Sequence, residues 1–299
     1  MIFAIINLWD PTHVSGLFAI AITALLLGLV HGITPDEHTW PITFSYAIGS
    51  YSSKKGLKAG IIFSLAFTLQ RSIASELAYL GLSSFYTFTK LNYIVYIIVG
   101  LIMLLAGLMI VKKRTIFHYD LPFFKKHSVN DETDGGAGIF SDPRPWMPAV
   151  HGFLAGWGFG AFAIIIYTIL APATHSIEWA WLPGALFGLG TMVMQALAGL
   201  LFGYIASKRG LSPQAVRRVA LKTASNTLTY GGLAFILGGV FGQFFPNIAN
   251  LSLHTGLQIH NLYNLGLAFI LVIFSVILVG GVTLVHQTKI EIIKTKLVN

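Results

Sequence analysis

Apolar runs about as long as a bilayer is thick recur along the whole chain. A membrane-spanning helix needs about 20 mostly apolar residues. Such runs occupy residues 57–83, 91–111, 148–172, 182–206, 223–245 and 263–286. Only 10% of the 299 residues are charged, against roughly 25% in a soluble domain. Because the runs are continuous rather than alternating, the sequence predicts an all-α polytopic membrane protein.

The first apolar segment, residues 14–50, is too long for one straight crossing. As a continuous helix it would extend about 55 Å, whereas the hydrocarbon core is about 30 Å thick. Gly32, Pro35 and Pro41 interrupt it, and both residue types weaken a helix interior. We therefore expect a discontinuous first helix, either one broken crossing or a crossing followed by a re-entrant half-helix.

Lysine and arginine are concentrated in every second loop. The basic loops lie around residues 54–58, 112–144, 208–222 and 289–296. The connections near 173–181 and 246–262 hold neither residue. Because cytoplasmic loops carry the excess of Lys and Arg, this pattern predicts about seven crossings in the cytoplasmic membrane of the cell. It places the N-terminus outside and the C-terminus inside.

Two halves joined by a linker are expected. Residues 1–111 form the first half, residues 112–147 a polar, flexible cytoplasmic linker, and residues 148–299 the second half. Val30-His31-Gly32 is echoed by Val150-His151-Gly152. Three crossings in each half reverse the orientation of the second half. The sequence thus predicts two inverted three-helix repeats plus one extra helix.

A polar stretch, His31-Gly-Ile-Thr-Pro-Asp36-Glu37-His38, follows the first apolar run. Ionisable residues are costly at membrane depth and are usually retained there for a function. Two imidazoles beside carboxylates suit a divalent transition metal. On a regular helix His31 and His38 would lie about 10.5 Å apart along the axis, so a common site requires the predicted break. The candidate ligands are these four residues, with His151 as a further imidazole.

The same stretch also fits a solvated loop at the level of the lipid headgroups. His31 would then end an apolar helix, and the next three ionisable residues would cost little energy. However, the chain stays compatible with the membrane after His38 and reaches no lysine until Lys54. This favours the buried site.

Further polar residues lie within the later spans. Arg71 and Glu76 are expected to form an internal ion pair, or Arg71 to pair with a carboxylate of the polar stretch, since buried charges need partners. Gln70 and Asn226 are candidates for outer contacts around the site or for hydrogen bonds between helices. Glycines four residues apart indicate closely packed helices.

The chain contains no cysteine, which excludes dithiol redox chemistry and thiolate metal ligands of its own. It has no P-loop, so ATP coupling is not indicated. The net charge of +8 is explained by the cytoplasmic loops and does not indicate nucleic acid. We expect no enzymatic activity and no resident cofactor; the expected partners are a divalent metal ion and the lipid bilayer. The oligomeric state is left open.

At the polar stretch the chain resembles nickel/cobalt transporters of the NiCoT and NicO type, whose signature is His-x4-Asp-His in an early transmembrane helix. His31, Asp36 and His38 match in type and order, with Glu37 inserted. Ser64-Leu-Ala-Phe-Thr-Leu-Gln-Arg71 looks like the second-helix region of the wider LysE-type superfamily. That superfamily includes cytochrome-biogenesis thiol transporters, which carry Pro-Cys motifs at the corresponding break. The resemblance implies secondary transport of Ni²⁺ or Co²⁺.

The leading hypothesis is therefore a secondary transporter that exposes a divalent ion, Ni²⁺ or Co²⁺ as substrate, to each side of the membrane in turn. One alternative is an intramembrane metal-dependent hydrolase with Glu37 as base, although no His-Glu-x-x-His run is present. The other is an anion or small-solute exporter of the same superfamily, in which Arg71 and the basic loops matter more than the histidines.

Overall fold

The computed structural model describes residues 8, 11–81, 89–111, 140–158, 160–207, 211–257 and 262–298. Most of the predicted linker, residues 112–139, lies outside this part of the chain. The described helices are α1 Leu17–Ile33, α2 Trp40–Gly49, α3 Ser53–Tyr79, α4 Thr89–Ile110, α5 Met147–Ala155, α6 Ala161–Ile165, α7 Leu182–Ser207, α8 Pro213–Phe244, α9 Pro246–Ala249, α10 Leu267–Val272 and α11 Val282–Val298. Wider π-type turns extend α6 and join α10 to α11. Two short antiparallel strands, β1 Leu253–His254 and β2 Asn264–Leu265, pair between α9 and α10.

The prediction of a mostly helical membrane protein is confirmed. Within the described ranges, four helical stretches are long and apolar enough to cross a bilayer: Leu91–Ile110, Ile177–Ile205, Pro213–Phe244 and Leu267–Leu297. α1 and the stretch Ala161–Thr174 are apolar but shorter. Large apolar side chains on the outside of the bundle, such as Leu237 and Phe244, are exposed, as expected of a surface that faces lipid.

The first helix is broken where Pro35 stands. α1 ends at Ile33, and Thr34 adopts an extended conformation with ψ 143°, because a proline disfavours helical geometry in the residue before it. α2 begins at Trp40, with Pro41 in its first turn, where proline is well tolerated. Every residue of α2 from 41 to 49 is buried. The predicted discontinuity is confirmed, and its second part is a short helix inside the bundle.

A second interruption lies in the other half of the chain. α5 ends at Ala155 and α6 begins at Ala161, although residues 148–172 read as a single apolar run in the sequence. Gly156, Gly158 and Gly160 fall in this gap, and glycine pays more backbone entropy in a helix than any other residue. The two helix breaks, residues 34–39 and 156–160, are named the first and second break below.

Glycine contacts bring the helices of the two halves close together in a reciprocal way. Gly28 of α1 lies against the backbone of Phe187 in α7, and Gly152 of α5 lies against the backbone of Phe63 in α3. α3 and α7 also pack on each other, as do α4 and α8. The prediction that these glycines mediate close helix packing is confirmed. α2 lies among α3, α7 and α8, which places the first break in the interior.

Candidate functional site

The four ionisable residues of the polar stretch are buried in the protein interior. His31, Asp36, Glu37 and His38 are each between 1% and 4% exposed. A solvated loop at the headgroup level is therefore wrong, because such a loop would leave these side chains open to water. Burial of two carboxylates away from water is unfavourable unless they are hydrogen-bonded or paired. Hydrogen bonds and ion pairs with neighbouring groups therefore stabilise these side chains.

Asp36 organises the turn that starts α2. Its Oδ1 accepts a hydrogen bond from the backbone N–H of His38 at 3.0 Å. Its backbone carbonyl accepts from the N–H of Trp40 at 3.0 Å. An aspartate side chain that bonds to the backbone two residues later forms a tight local turn. Asp36 thus brings Glu37 and His38 into one compact group.

Glu37 joins this group to α4. Its Oε1 accepts a hydrogen bond from the hydroxyl of Tyr96 at 3.0 Å and lies 3.2 Å from Nδ1 of His38. The rings of His38 and Tyr96 are 5.3 Å apart at their centroids. Glu37, the residue inserted into the His-x4-Asp-His pattern, is therefore contacted by both Tyr96 and His38.

His31, at the end of α1, lies among aromatic rings. Its ring centroid is 5.0 Å from that of Phe187 and 6.1 Å from that of Phe67. Its Nδ1 is 3.9 Å from Oδ2 of Asp36, beyond an ordinary hydrogen bond. His31 therefore lies beside the group formed by Asp36, Glu37 and His38, and its own ring packs against aromatic side chains.

Arg71 of α3 connects the same aromatic rings to the second break. Its guanidinium lies over the ring of Phe67, 4.6 Å from the centroid. Its Nη1 donates to the carbonyl of Gly158 at 3.1 Å and to the hydroxyl of Tyr167 at 2.7 Å. The hydrogen bonds of Arg71 therefore go to the second break and to the π-type extension of α6. Both Arg71 and Glu76 are described by the structure, and their predicted ion pair is not formed. Glu76 is half-buried on the same helix.

The two breaks meet at Gly158. A side chain at this position would collide with the imidazole of His38, so glycine lets the second break approach the first. Gly156, in the same break, lies against the amide of Gln70. His38 and Arg71, both in the first half of the chain, therefore contact one glycine of the second half. We call His31, Asp36, Glu37, His38 and Arg71 the buried cluster.

His151 and Asn226 lie apart from the buried cluster. Nδ1 of His151 is 2.9 Å from the hydroxyl of Tyr46 and 3.2 Å from the carbonyl of Met147. Its described contacts do not include the cluster. Asn226 donates a hydrogen bond to the hydroxyl of Thr283 at 3.3 Å, which is a contact between helices. Although the sequence around His151 repeats the sequence around His31, the described contacts of His151 do not include Asp36 or Glu37.

The buried cluster contains one group of atoms with the spacing of metal ligands. Asp36, Glu37 and His38 each offer a ligand atom, and these atoms all lie within 4.8 Å of one another. His31 and His151, also predicted as ligands, are not in this group. A closed metal site needs about four ligands, so the three residues would need a further donor.

The sequence patterns did not single out three residues that contact the cluster, namely Tyr96, Tyr167 and Gly158. A buried tyrosine hydroxyl usually has a hydrogen-bond partner, so a tyrosine in the middle of a span was the available signal. For Gly158 the signal was the spacing of glycines at every second position from 156 to 160.

A helical membrane protein whose ionisable residues meet where two broken helices face each other has the construction of a membrane transporter. The family model of the cytochrome c biogenesis protein transmembrane region matches residues 23–228, and the chain belongs to this family. No curated protein and no solved structure matches the chain significantly.

Two expectations from the sequence are therefore wrong: the identification as a NiCoT- or NicO-type protein and the transport of Ni²⁺ or Co²⁺. The nickel/cobalt resemblance rested mainly on residues 28–80, whereas the family match extends from the first half into the second, as far as residue 228. A few histidines and carboxylates recur in buried polar sites of many kinds, so the short motif discriminates poorly. The hydrolase and exporter alternatives receive no support from the match either.

Proposed function

We propose that the protein carries a low-molecular-weight thiol, or the corresponding disulfide, across the membrane as a bound cargo. Its family is that of a cytochrome c biogenesis transmembrane region. The superfamily that the sequence resembles includes cytochrome-biogenesis proteins that transport thiols. Electron transfer by thiol–disulfide exchange needs a thiolate that attacks a disulfide, and this chain has no cysteine. The sulfur atoms that change oxidation state therefore belong to the cargo, and the carrier itself makes and breaks no covalent bond.

The observation that carries this proposal is the contact between the two breaks. His38 of the first break and Arg71 both reach Gly158 of the second. Interrupted helices near the middle of the membrane form substrate sites in transporters built from repeats, because their backbone groups are free to bind. A small change in the packing of the halves would open this contact to a polar molecule.

The charges of the buried cluster suit a zwitterionic thiol. Asp36 and Glu37 provide two carboxylates for an ammonium group, and Arg71 provides a guanidinium for a carboxylate. Charge-assisted hydrogen bonds of this kind are the strongest that side chains make. Amino-acid thiols and short peptide thiols carry both groups.

The test is reduction of an enclosed reporter. Proteoliposomes hold a fluorescent protein whose disulfide reports reduction, and cysteine is added outside. We expect faster reduction with the protein than in empty liposomes, and loss of this increase with Glu37→Gln. Glu178→Gln, at an exposed position, is the matched control and should retain it. Equal rates with and without the wild-type protein would refute the proposal.

A second candidate function is the binding of a resident divalent cation by Asp36, Glu37 and His38. The spacing of their ligand atoms favours it, and nitrogen and oxygen donors suit first-row metals. In this case the ion would be structural and not cargo. Metal analysis of protein purified without a histidine tag would test it: a stoichiometric ion that is lost with Glu37→Gln supports it, and metal-free active protein refutes it.

We also propose the finer topology: seven crossings in the cytoplasmic membrane of the cell, with the N-terminus outside, the C-terminus inside, and two inverted three-helix repeats plus one extra helix. The domain limits stay as predicted, 1–111, 112–147 and 148–299. The reciprocal packing of α1 on α7 and of α5 on α3 supports a two-fold relation between the halves. Helices in corresponding positions of an inverted repeat are expected to pack in this way.

A further inference from the structure

A cavity of about 310 Å³ lies between the beginnings of α3 and α5. Tyr46 of α2 and Ser50, directly after α2, line it. Its lining also includes Lys55 and Lys58 of α3, Arg144, which precedes α5, and Pro148 of α5. Small-molecule sites usually measure roughly 300–1,000 Å³. The cavity is thus large enough for an amino-acid or short peptide derivative, and it lies on the basic side of the protein.

The charge of the cavity is positive. Lys55, Lys58 and Arg144 line it together with a single acidic residue, Asp142, among the described lining residues. Oδ1 of Asp142 is 3.2 Å from Nε of Arg217, and its other oxygen accepts from the hydroxyl of Tyr51 at 3.3 Å. Because Arg217 offsets the one carboxylate, three cationic side chains are left to attract an anion.

One side chain in the wall of the cavity also contacts a buried histidine. Tyr46 lines the cavity, and its hydroxyl is 2.9 Å from Nδ1 of His151. His151 itself is only 1% exposed. Tyr46 belongs to α2, the helix that begins at the first break. A molecule in the cavity would therefore contact a tyrosine whose hydroxyl reaches a buried histidine.

We infer that this cavity binds a small thiol that carries carboxylate groups, on the basic side of the membrane and before it reaches the buried cluster. This inference rests on the proposed function. The three cations match the carboxylates, since such pairs form charge-assisted hydrogen bonds. The less polar surface provided by Tyr46, Ala59 and Ile62 accommodates the part of the molecule that bears sulfur.

Calorimetric titration of the full chain in nanodiscs of neutral lipid tests this inference, with reduced glutathione, a peptide thiol with two carboxylates, as the probe. Lys58→Gln and Arg144→Gln should each weaken binding about three- to fivefold, because both side chains are exposed and a solvated ion pair contributes modestly. Lys54→Gln is the matched control: it removes the same charge one residue from Lys55, and Lys54 does not line the cavity. It should change affinity less than about twofold.

Three outcomes would overturn the inference. The first is glutathione binding that is absent in the wild type or equally strong in Lys58→Gln and Arg144→Gln. The second is competition by inorganic phosphate as strong as that by glutathione, which would indicate a general anion site. The third is loss of binding in nanodiscs with anionic lipid, which would assign the cavity to a lipid headgroup. Thiol transport without glutathione binding would refute only this site, whereas binding without transport would refute only the proposed function.

Discussion

The hydroxyl of Tyr96 donates a hydrogen bond to Oε1 of Glu37 at 3.0 Å, and the same oxygen lies 3.2 Å from Nδ1 of His38. A single carboxylate oxygen therefore links α4 to the first break. Because the surroundings are buried, loss of one partner leaves a charged acceptor poorly satisfied, which costs more than an exposed hydrogen bond.

Replacement of this hydroxyl should destabilise the protein. We expect Tyr96→Phe to lower the free energy of unfolding by about 1–3 kcal/mol, the range for a buried hydrogen bond to a charged group. Thermal and denaturant unfolding in detergent micelles would measure it. Tyr230→Phe is the control, since Tyr230 is 52% exposed. Equal stability of the two variants would contradict the role given to Tyr96.

A methyl group at residue 158 should separate the two breaks. In Gly158→Ala the new Cβ would occupy the space of the His38 ring. Overpacking of this kind typically costs about 1–3 kcal/mol. Gly281→Ala is a matched control, because its Cβ would meet only ordinary contacts. Unfolding midpoints should fall for the first variant alone, and an unchanged midpoint for Gly158→Ala would refute the close approach.

Arg71 should not tolerate lysine. Its guanidinium bonds to two acceptors, Gly158 and Tyr167, and stacks on Phe67, whereas an ammonium is a compact charge without a flat face. We expect Arg71→Lys to slow thiol transport at least about tenfold, a loss equivalent to about 1.4 kcal/mol. Arg218→Lys, in an ion pair with Glu291 away from the cluster, should retain transport. Similar rates for both would show that charge alone suffices at Arg71.

The proposed topology can be tested directly because the chain has no cysteine of its own. Lys54→Cys lies at an exposed position in the basic first turn of α3, and Thr255→Cys lies at an exposed position in an uncharged connection. An impermeant maleimide added to intact cells should label Thr255→Cys and should label Lys54→Cys only after permeabilisation. Labelling of both from outside, or the reverse pattern, would contradict the orientation derived from the loop charges.

The first break was predictable from the sequence because its causes are local. Pro35 acts on Thr34 through steric contact between neighbouring residues, and the structure ends α1 one residue earlier, at Ile33. The limits of α7 were also close: residues 182–206 were predicted, and the helix spans Leu182–Ser207. Those of α8 were not, since the predicted run 223–245 begins ten residues after Pro213. Burial of the polar stretch followed from the absence of lysine up to residue 54.

The second break and the partners of the site were not predictable in the same way. Residues 156–160 are as apolar as their neighbours, so hydropathy alone shows one continuous run. The contact of Gly158 with His38 and the bond from Tyr96 to Glu37 join residues 59 or more positions apart. Such contacts depend on how helices of the two halves pack. The transport of Ni²⁺ or Co²⁺ was wrongly predicted for a similar reason. The histidines and carboxylates of one short stretch do not by themselves identify the molecule that the site binds.

The most direct test of the account follows the sulfur itself. Proteoliposomes with the enclosed disulfide reporter receive cysteine labelled with sulfur-35, and reporter reduction and internal label are measured together. Because two thiols become one disulfide for each reporter disulfide reduced, we predict that at least two labelled molecules enter per reporter reduced. Reporter reduction that depends on the protein without entry of label would contradict the carrier mechanism.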